Sequence, residues 1–155
     1  MSAPGGVAPD IRQGPRLRQL APWRQAAPLA QAGSREDAMK QNYSGGCQCG
    51  KVRYDVAIEL GEVLSCNCSR CGRLGSLLAF APAQDFKLTS GEDATTEYQF
   101  NKHVIHHLFC ATCGIQPFAR GRGPGGAEMV AINVRCLDGV DLDLLKIKKF
   151  NGRSA

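Results

Sequence analysis

The chain has 155 residues and a formal net charge of +5, with 43% hydrophobic and only 6% aromatic residues. That length suits one domain with a tail, and a core this modest commonly needs a disulfide or metal staple. The charge is small and dispersed, which gives no argument for nucleic-acid binding.

Residues 1–38 are rich in Ala, Pro, Gly, Gln and Arg, and their apolar residues stand singly among prolines. No period of 3.6 or 2 is sustained, so the composition predicts a disordered extension that carries the sole tryptophan, Trp23. Nothing here resembles a secretory signal, and no stretch of the chain is apolar enough for a membrane span. The expectation is a cytoplasmic protein with a folded domain over residues 39–155, beginning at a second methionine, Met39.

From Tyr43 onward the pattern is one of short strands separated by turns. KVRYDVAI alternates and is β-branched, and EVLS leads directly into CNCSRC. SLLAFAP, DFKLTS, TEYQFN and HVIHHLF follow at regular spacing. AEMVAINVRCL is the strongest strand candidate and LKIKKF a shorter one. Only CGRLG and DGVDLDLL could form a helical turn. GRGPGG formally fits a phosphate-loop glycine pattern, but Pro124 and the strand-like residues after it deny the required helix, and a flexible turn is expected. The reading is a mainly β, mostly antiparallel domain.

The eight cysteines fall in clusters: Cys47 and Cys49 in GGCQCG; Cys66, Cys68 and Cys71 in CNCSRC; Cys110 and Cys113 in CATCG; and Cys136 in VRCL. Close-set thiols without a signal peptide point to metal rather than disulfides. Two cysteines in CxC project from the same face of a strand and can share an ion, whereas a disulfide between them would be strained. CxxC followed by Gly is a knuckle turn whose amides can point at the sulfurs. All-sulfur donors favour zinc, with iron as the competitor.

The three clusters supply seven thiolates, one short of two closed tetrahedral sites. A structural zinc takes four protein ligands and a catalytic one keeps three. Two pairs, Cys47/Cys49 and Cys110/Cys113, would make the closed site. Cys66, Cys68 and Cys71 would make the incomplete one. The rival arrangement closes the second site with Cys136, His103, His106 or His107. Cys136, in an apolar strand, is expected to be a buried inert thiol. Arg70 and Arg73 flank the triplet and could receive a carboxylate. His107 is expected to be a hydrogen-bonded structural histidine, with a catalytic base as the other reading. Lys146, Lys148 and Lys149 are expected to guard an edge strand.

GGCQCGKVRY, CNCSRCGRLG, HLFCATCG, VAINVRCLDG and a closing KKFNG, in that order and spacing, resemble the family of glutathione-dependent formaldehyde-activating enzymes and centromere protein V. The resemblance runs from about Tyr43 to about Gly152. It implies a β-tent fold of short antiparallel sheets joined by zinc–cysteine sites, with two zinc ions per chain. It assigns Cys47, Cys49, Cys110 and Cys113 to the structural zinc, and Cys66, Cys68 and Cys71 to the catalytic zinc.

The activity it implies is that of a carbon–sulfur lyase of the S-(hydroxymethyl)glutathione synthase type. A small thiol such as glutathione would add to formaldehyde or a small aldehyde, or the reverse would run. The alternative is a non-catalytic zinc-binding thiol carrier or adaptor of the centromere-protein kind. Neither reading involves a membrane or nucleic acid, and oligomeric state is left open.

Overall fold

The computed structural model describes residues 40–154. The predicted extension over 1–38, with Trp23, and the boundary at Met39 lie outside the described residues. Among the described residues ten strands are formed: β1 (Gln41–Gly46), β2 (Arg53–Ile58), β3 (Glu62–Cys66), β4 (Leu78–Pro82), β5 (Phe86–Ser90), β6 (Thr95–Tyr98), β7 (His106–Cys110), β8 (Phe118–Arg122), β9 (Glu128–Asn133) and β10 (Lys146–Phe150). A one-turn helix, α1, spans Cys71–Leu74 and ends at Gly75 with φ 63°. The domain is mainly β, as the turn-separated, β-branched segments predict. No helix among the described residues is long and apolar enough to cross a membrane.

The strands form two sheets, one ordered β1-β2-β5 and the other β10-β3-β4-β9-β8-β7-β6. Every pairing is antiparallel except β10 with β3, which run parallel with Phe150 opposite Cys66. One parallel pair among these is consistent with the expected mostly antiparallel domain. Its consequence is local: both strands leave the sheet in the same direction, so the residues after Phe150 travel beside those after Cys66.

Period-two burial explains the strands with the clearest alternation. In β2, Tyr54, Val56 and Ile58 face inward. In β4 the small residues Ala79 and Ala81 face inward, and Phe80 is turned out. The core closes on Tyr54, Phe86 and Phe118, whose ring centroids lie 4.8 to 5.7 Å apart. Val52, Val63, Val130, Ile132 and Val134 fill the space around them. Each fully buried side chain of this size contributes roughly 1.5–3 kcal/mol. At the end of β1, a Cβ on Gly45 would lie 2.6 Å from both the Cys136 carbonyl oxygen and Tyr54 Oη. Only glycine lets that strand approach Leu137, with which Gly45 forms an isolated bridge.

Two strands carried no clear sequence signal. β1 (QNYSGG) is polar and lies at the edge of its sheet, and β8 (FARGR) runs into the glycine-rich segment. TEYQFN and HVIHHLF are shorter than expected because Asn101 and His103 take left-handed φ of 56° and 54°, which turns the chain between β6 and β7. AEMVAINVRCL stops being a strand at Asn133, and Val134–Cys136 form a 3-10 turn instead. GRGPGG divides between the end of β8 and the tight β8–β9 connection, where Gly123 N donates to Ala127 O at 2.8 Å. DGVDLDLL yields only a 3-10 turn at Leu142–Leu144. The lysines of β10 do sit on an edge strand, where Lys146 and Lys148 face Glu62 of β3.

Candidate metal centres

The loop after β1 carries Cys47 and Cys49; Cys110 ends β7, and Cys113 lies in the turn that follows. The first pair belongs to the three-stranded sheet and the second to the seven-stranded one. Their four sulfurs lie within 4.8 Å of one another, with Cys49 Sγ 3.5 Å from Cys47 Sγ and 3.6 Å from Cys110 Sγ. Sulfurs on a tetrahedral zinc at about 2.3 Å would sit about 3.8 Å apart, so the donor set fits that ion in number, element and spacing.

Each half of the cluster is shaped by its knuckle. Gly50 and Gly114 adopt φ of 78° and 73°, their amides donating to the Cys47 and Cys110 carbonyls at 3.2 and 2.8 Å. The Val52 amide points at Cys47 Sγ at 3.3 Å. Cys47 and Cys110 are buried.

The second cluster comes from one loop. β3 delivers Cys66, a tight turn follows, and α1 begins at Cys71. The sulfurs of Cys66, Cys68 and Cys71 also lie within 4.8 Å of one another, all half-buried. The Cys68 amide points at Cys66 Sγ and the Cys71 amide at Cys68 Sγ, both at 3.4 Å. Among the described residues no further His, Cys, Asp or Glu joins the three at that distance.

The rival arrangement, with Cys136 or a histidine completing the triplet, is therefore not formed in this geometry. Cys136 lies across from Gln116, its Sγ 3.9 Å from that carbonyl, and burial followed by the charges of Cys47 and Cys113 pushes its thiol up to about 11. It is a half-buried thiol in a 3-10 turn rather than the strand residue expected. His106 pairs with Glu97 at 2.8 Å. His103 lines a cleft of about 610 Å³ whose wall contains no cysteine.

Protonation within both clusters is split. Cys113 is drawn down to about 6, chiefly by the amides of Ile115 and Cys49, and Cys110 is lowered by the Cys113 amide. Cys49 goes the other way, to about 11: the Lys51 amide lowers it, but burial and the neighbouring sulfurs prevail. In the triplet, burial and then Cys68 lift Cys71 to about 12. Cys68 is lowered because the amides of Cys71 and Arg70 outweigh its burial. The physical cause is shared: once some thiols ionise, their neighbours resist a second negative charge. A bound divalent cation removes that resistance.

One wall near the triplet escaped the sequence reading. Arg70 donates from Nε to Gln116 Oε1 at 3.0 Å and from Nη2 to the same oxygen, and its guanidinium lies 4.8 Å above the Tyr98 ring. Gln116 Nε2 faces His107 Nδ1 at 3.4 Å, so the imidazole accepts there and carries its proton on Nε2. Phe100 stacks on that ring with centroids 5.3 Å apart. Burial, with Arg70 nearby, lowers His107 to about 4, which keeps it neutral at physiological pH.

His107 is thus a buried, hydrogen-bonded histidine, as expected, although its Nε2 has no partner among the described residues. Arg73 donates from Nη1 to the Ser69 carbonyl at 2.5 Å and keeps its other donors and its charge. Gln116 had no motif to mark it. Its position three residues past Cys113 was the only available signal.

A cleft of about 580 Å³ opens beside this wall, lined in part by Cys47, Leu74, Gln116, Asn133, Arg135 and Cys136. It brings the Cys47 loop and the turn after Cys113 to one surface with Leu74 at the end of α1, which the larger 610 Å³ cleft does not.

The model of the glutathione-dependent formaldehyde-activating enzyme family matches residues 42–148. Among solved structures, the crystal structure of a Rhodobacter sphaeroides protein is similar. The two share 32% sequence identity over 68% of this chain and 99% of that one, with a TM-score of 0.60.

Proposed function

This chain belongs to the glutathione-dependent formaldehyde-activating enzyme family, and we propose that it is a zinc-dependent carbon–sulfur lyase of that type. It would join a small thiol, glutathione or a similar one, to formaldehyde or another small aldehyde, or run the reverse cleavage. Two zinc ions per chain would be held, one by Cys47, Cys49, Cys110 and Cys113 and one by Cys66, Cys68 and Cys71. The observation that carries this reading is the unequal count: four sulfurs in one cluster, three in the other, and no group among the described residues completing the second.

When bound at the triplet, zinc would supply an exchangeable fourth position at which an incoming thiol loses its proton near neutral pH. The residues of the chain do the rest. Cys66, Cys68 and Cys71 would hold the ion, and the amides of Cys68 and Cys71 that point at the sulfurs would stabilise their charge. The thiol sulfur forms a bond to the aldehyde carbon as the carbonyl π bond opens onto oxygen. The proton given up by the thiol is returned to that oxygen, leaving an S-hydroxymethyl thioether. Arg70, fixed by Gln116 and Tyr98, keeps positive charge beside the loop, where an anionic thiol would be favoured.

The four-cysteine cluster fastens the two sheets and takes no part in the chemistry. The folded zinc domain is assigned to residues 39–155 and acts in the cytoplasm in this reading.

The test is the rate of thioether formation, measured against the spontaneous addition of the same thiol to formaldehyde. The wild type is expected to exceed the spontaneous rate, and Cys68→Ser to fall back to it while remaining folded. A wild type no faster than the background would replace catalysis with the thiol-carrier or adaptor reading.

A further inference from the structure

Because β10 runs parallel to β3, the segment after it lies along the three-cysteine loop. Asn67, between Cys66 and Cys68, makes most of the joint. Its amide donates to the Phe150 carbonyl at 3.2 Å, and its Nδ2 to Asn151 Oδ1 at 2.9 Å. Its Oδ1 accepts from the Arg153 amide at 3.2 Å, and its carbonyl from Arg153 Nε at 3.1 Å. These four bonds draw Gly152 against the sulfurs. A Cβ at Gly152 would lie 2.5 Å from Cys66 Sγ and 3.1 Å from Cys68 Cβ. Gly152 has no left-handed φ, so what demands glycine is the closeness of the cluster, not backbone strain.

We propose that Gly152 is a positioning residue of the three-cysteine centre, and that Asn151–Arg153 is a strap that sets the place of Cys66 Sγ. This rests on the reading of Cys66, Cys68 and Cys71 as metal ligands. A free Cys66 side chain can relieve a nearby methyl by rotating about χ1 to another staggered position. A Cys66 bonded to a metal has lost that freedom, because its sulfur must stay at one corner. A methyl on Gly152 therefore acts on metal retention and spares the metal-free fold. The four-cysteine centre, which does not touch the strap, is unaffected.

The experiment uses the full chain as wild type, Gly152→Ala, Asn67→Ala, Cys66→Ala and the Cys66→Ala/Gly152→Ala pair. Zinc per chain is measured after challenge with graded chelator, and thermal midpoints are recorded alongside. Wild type is expected to hold two zinc ions. Gly152→Ala should hold the first as tightly and the second at least tenfold more weakly, the range expected when a ligand's support is disturbed. Asn67→Ala should weaken the same zinc to a lesser degree. In the Cys66→Ala background, where the sulfur is absent, adding Gly152→Ala should leave the thermal midpoint unchanged.

Second-site affinity in Gly152→Ala within about twofold of wild type would overturn the proposal, as would an equal loss of both zinc ions. Should Gly152→Ala fail to fold, an equally unfolded pair variant shows a purely structural role and refutes it, whereas a folded pair variant supports it. A wild type holding one zinc would overturn the metal reading of the triplet itself, and the strap's role with it.

Discussion

The two cysteine clusters use the same donor in opposite ways. Cys47, Cys49, Cys110 and Cys113 come from loops more than sixty residues apart and join the two sheets, and two of the four are buried. Cys66, Cys68 and Cys71 come from one loop of six residues, and all three are half-buried. A cluster that gathers distant segments does the work of a core, which matters in a domain with so few aromatic residues. A cluster drawn from a single loop adds little to the fold, so its sulfurs can serve chemistry. The triplet also leans on neighbours that the quartet does not need: the strap after β10 on one side, and Arg70 with Gln116 on another.

The strongest way to break this contrast is to remove one sulfur from each cluster. Cys110→Ser should abolish cooperative folding. Structural zinc sites in small domains contribute about 10–16 kcal/mol of apparent binding free energy, comparable to or above the ~5–15 kcal/mol that keeps a whole domain folded. Circular dichroism during thermal melting checks this, and a sharp wild-type-like transition would refute the staple role. Cys68→Ser should instead keep the circular dichroism spectrum, lose one zinc and lower the midpoint by only a few degrees. Unfolding of Cys68→Ser on the scale of Cys110→Ser would erase the distinction between the two sites.

A subtler effect concerns pH. His107 is held near 4 when folded, mainly by burial, against an ordinary value near 6.5. The folded pKa lies below the unfolded one, so the unfolded chain takes up this proton first as pH falls. Stability is therefore full above about 6.5 and is lost as pH drops toward 4, on the order of 3 kcal/mol for this one group. His107→Gln should flatten that part of the profile in denaturant titrations at successive pH values, whereas thiolate protonation lowers both proteins alike. Identical slopes for the two would show that His107 titrates normally in the fold. The smallest effect is expected from deleting residues 1–38: a chain starting at Met39 should keep both zinc ions and its thermal midpoint within a degree or two.

Both clusters were legible because cysteine spacing is a local signal with a strong chemical meaning. CxC and CxxC each force sulfurs together, and seven thiolates divide into four and three. The strands with alternating β-branched residues were legible for a similar reason, period two being imposed by the pleat. β1 and β8 were not, because an edge strand such as QNYSGG needs no apolar face and FARGR carries its information in a hairpin partner. The parallel course of β10 was hidden too, since LKIKKF reads the same in either direction. With it went the role of Gly152, whose need for glycine comes from a sulfur 86 residues earlier in the chain. Gln116 was missed because its importance lies in two contacts, Arg70 and His107, that only the fold creates.

The central claim is that the triplet leaves one metal position for a thiol, and cobalt substitution tests it most directly. Cobalt in place of zinc gives a sulfur-to-metal charge-transfer band that grows with each added thiolate. Glutathione added to the cobalt-loaded chain should strengthen that band and release a proton, and S-methylglutathione should do neither. The response should vanish in Cys68→Ser and persist in Cys136→Ser. No response in the wild type, or loss of metal in Cys136→Ser, would mean that four protein groups already close the site and leave an incoming thiol no position on the metal.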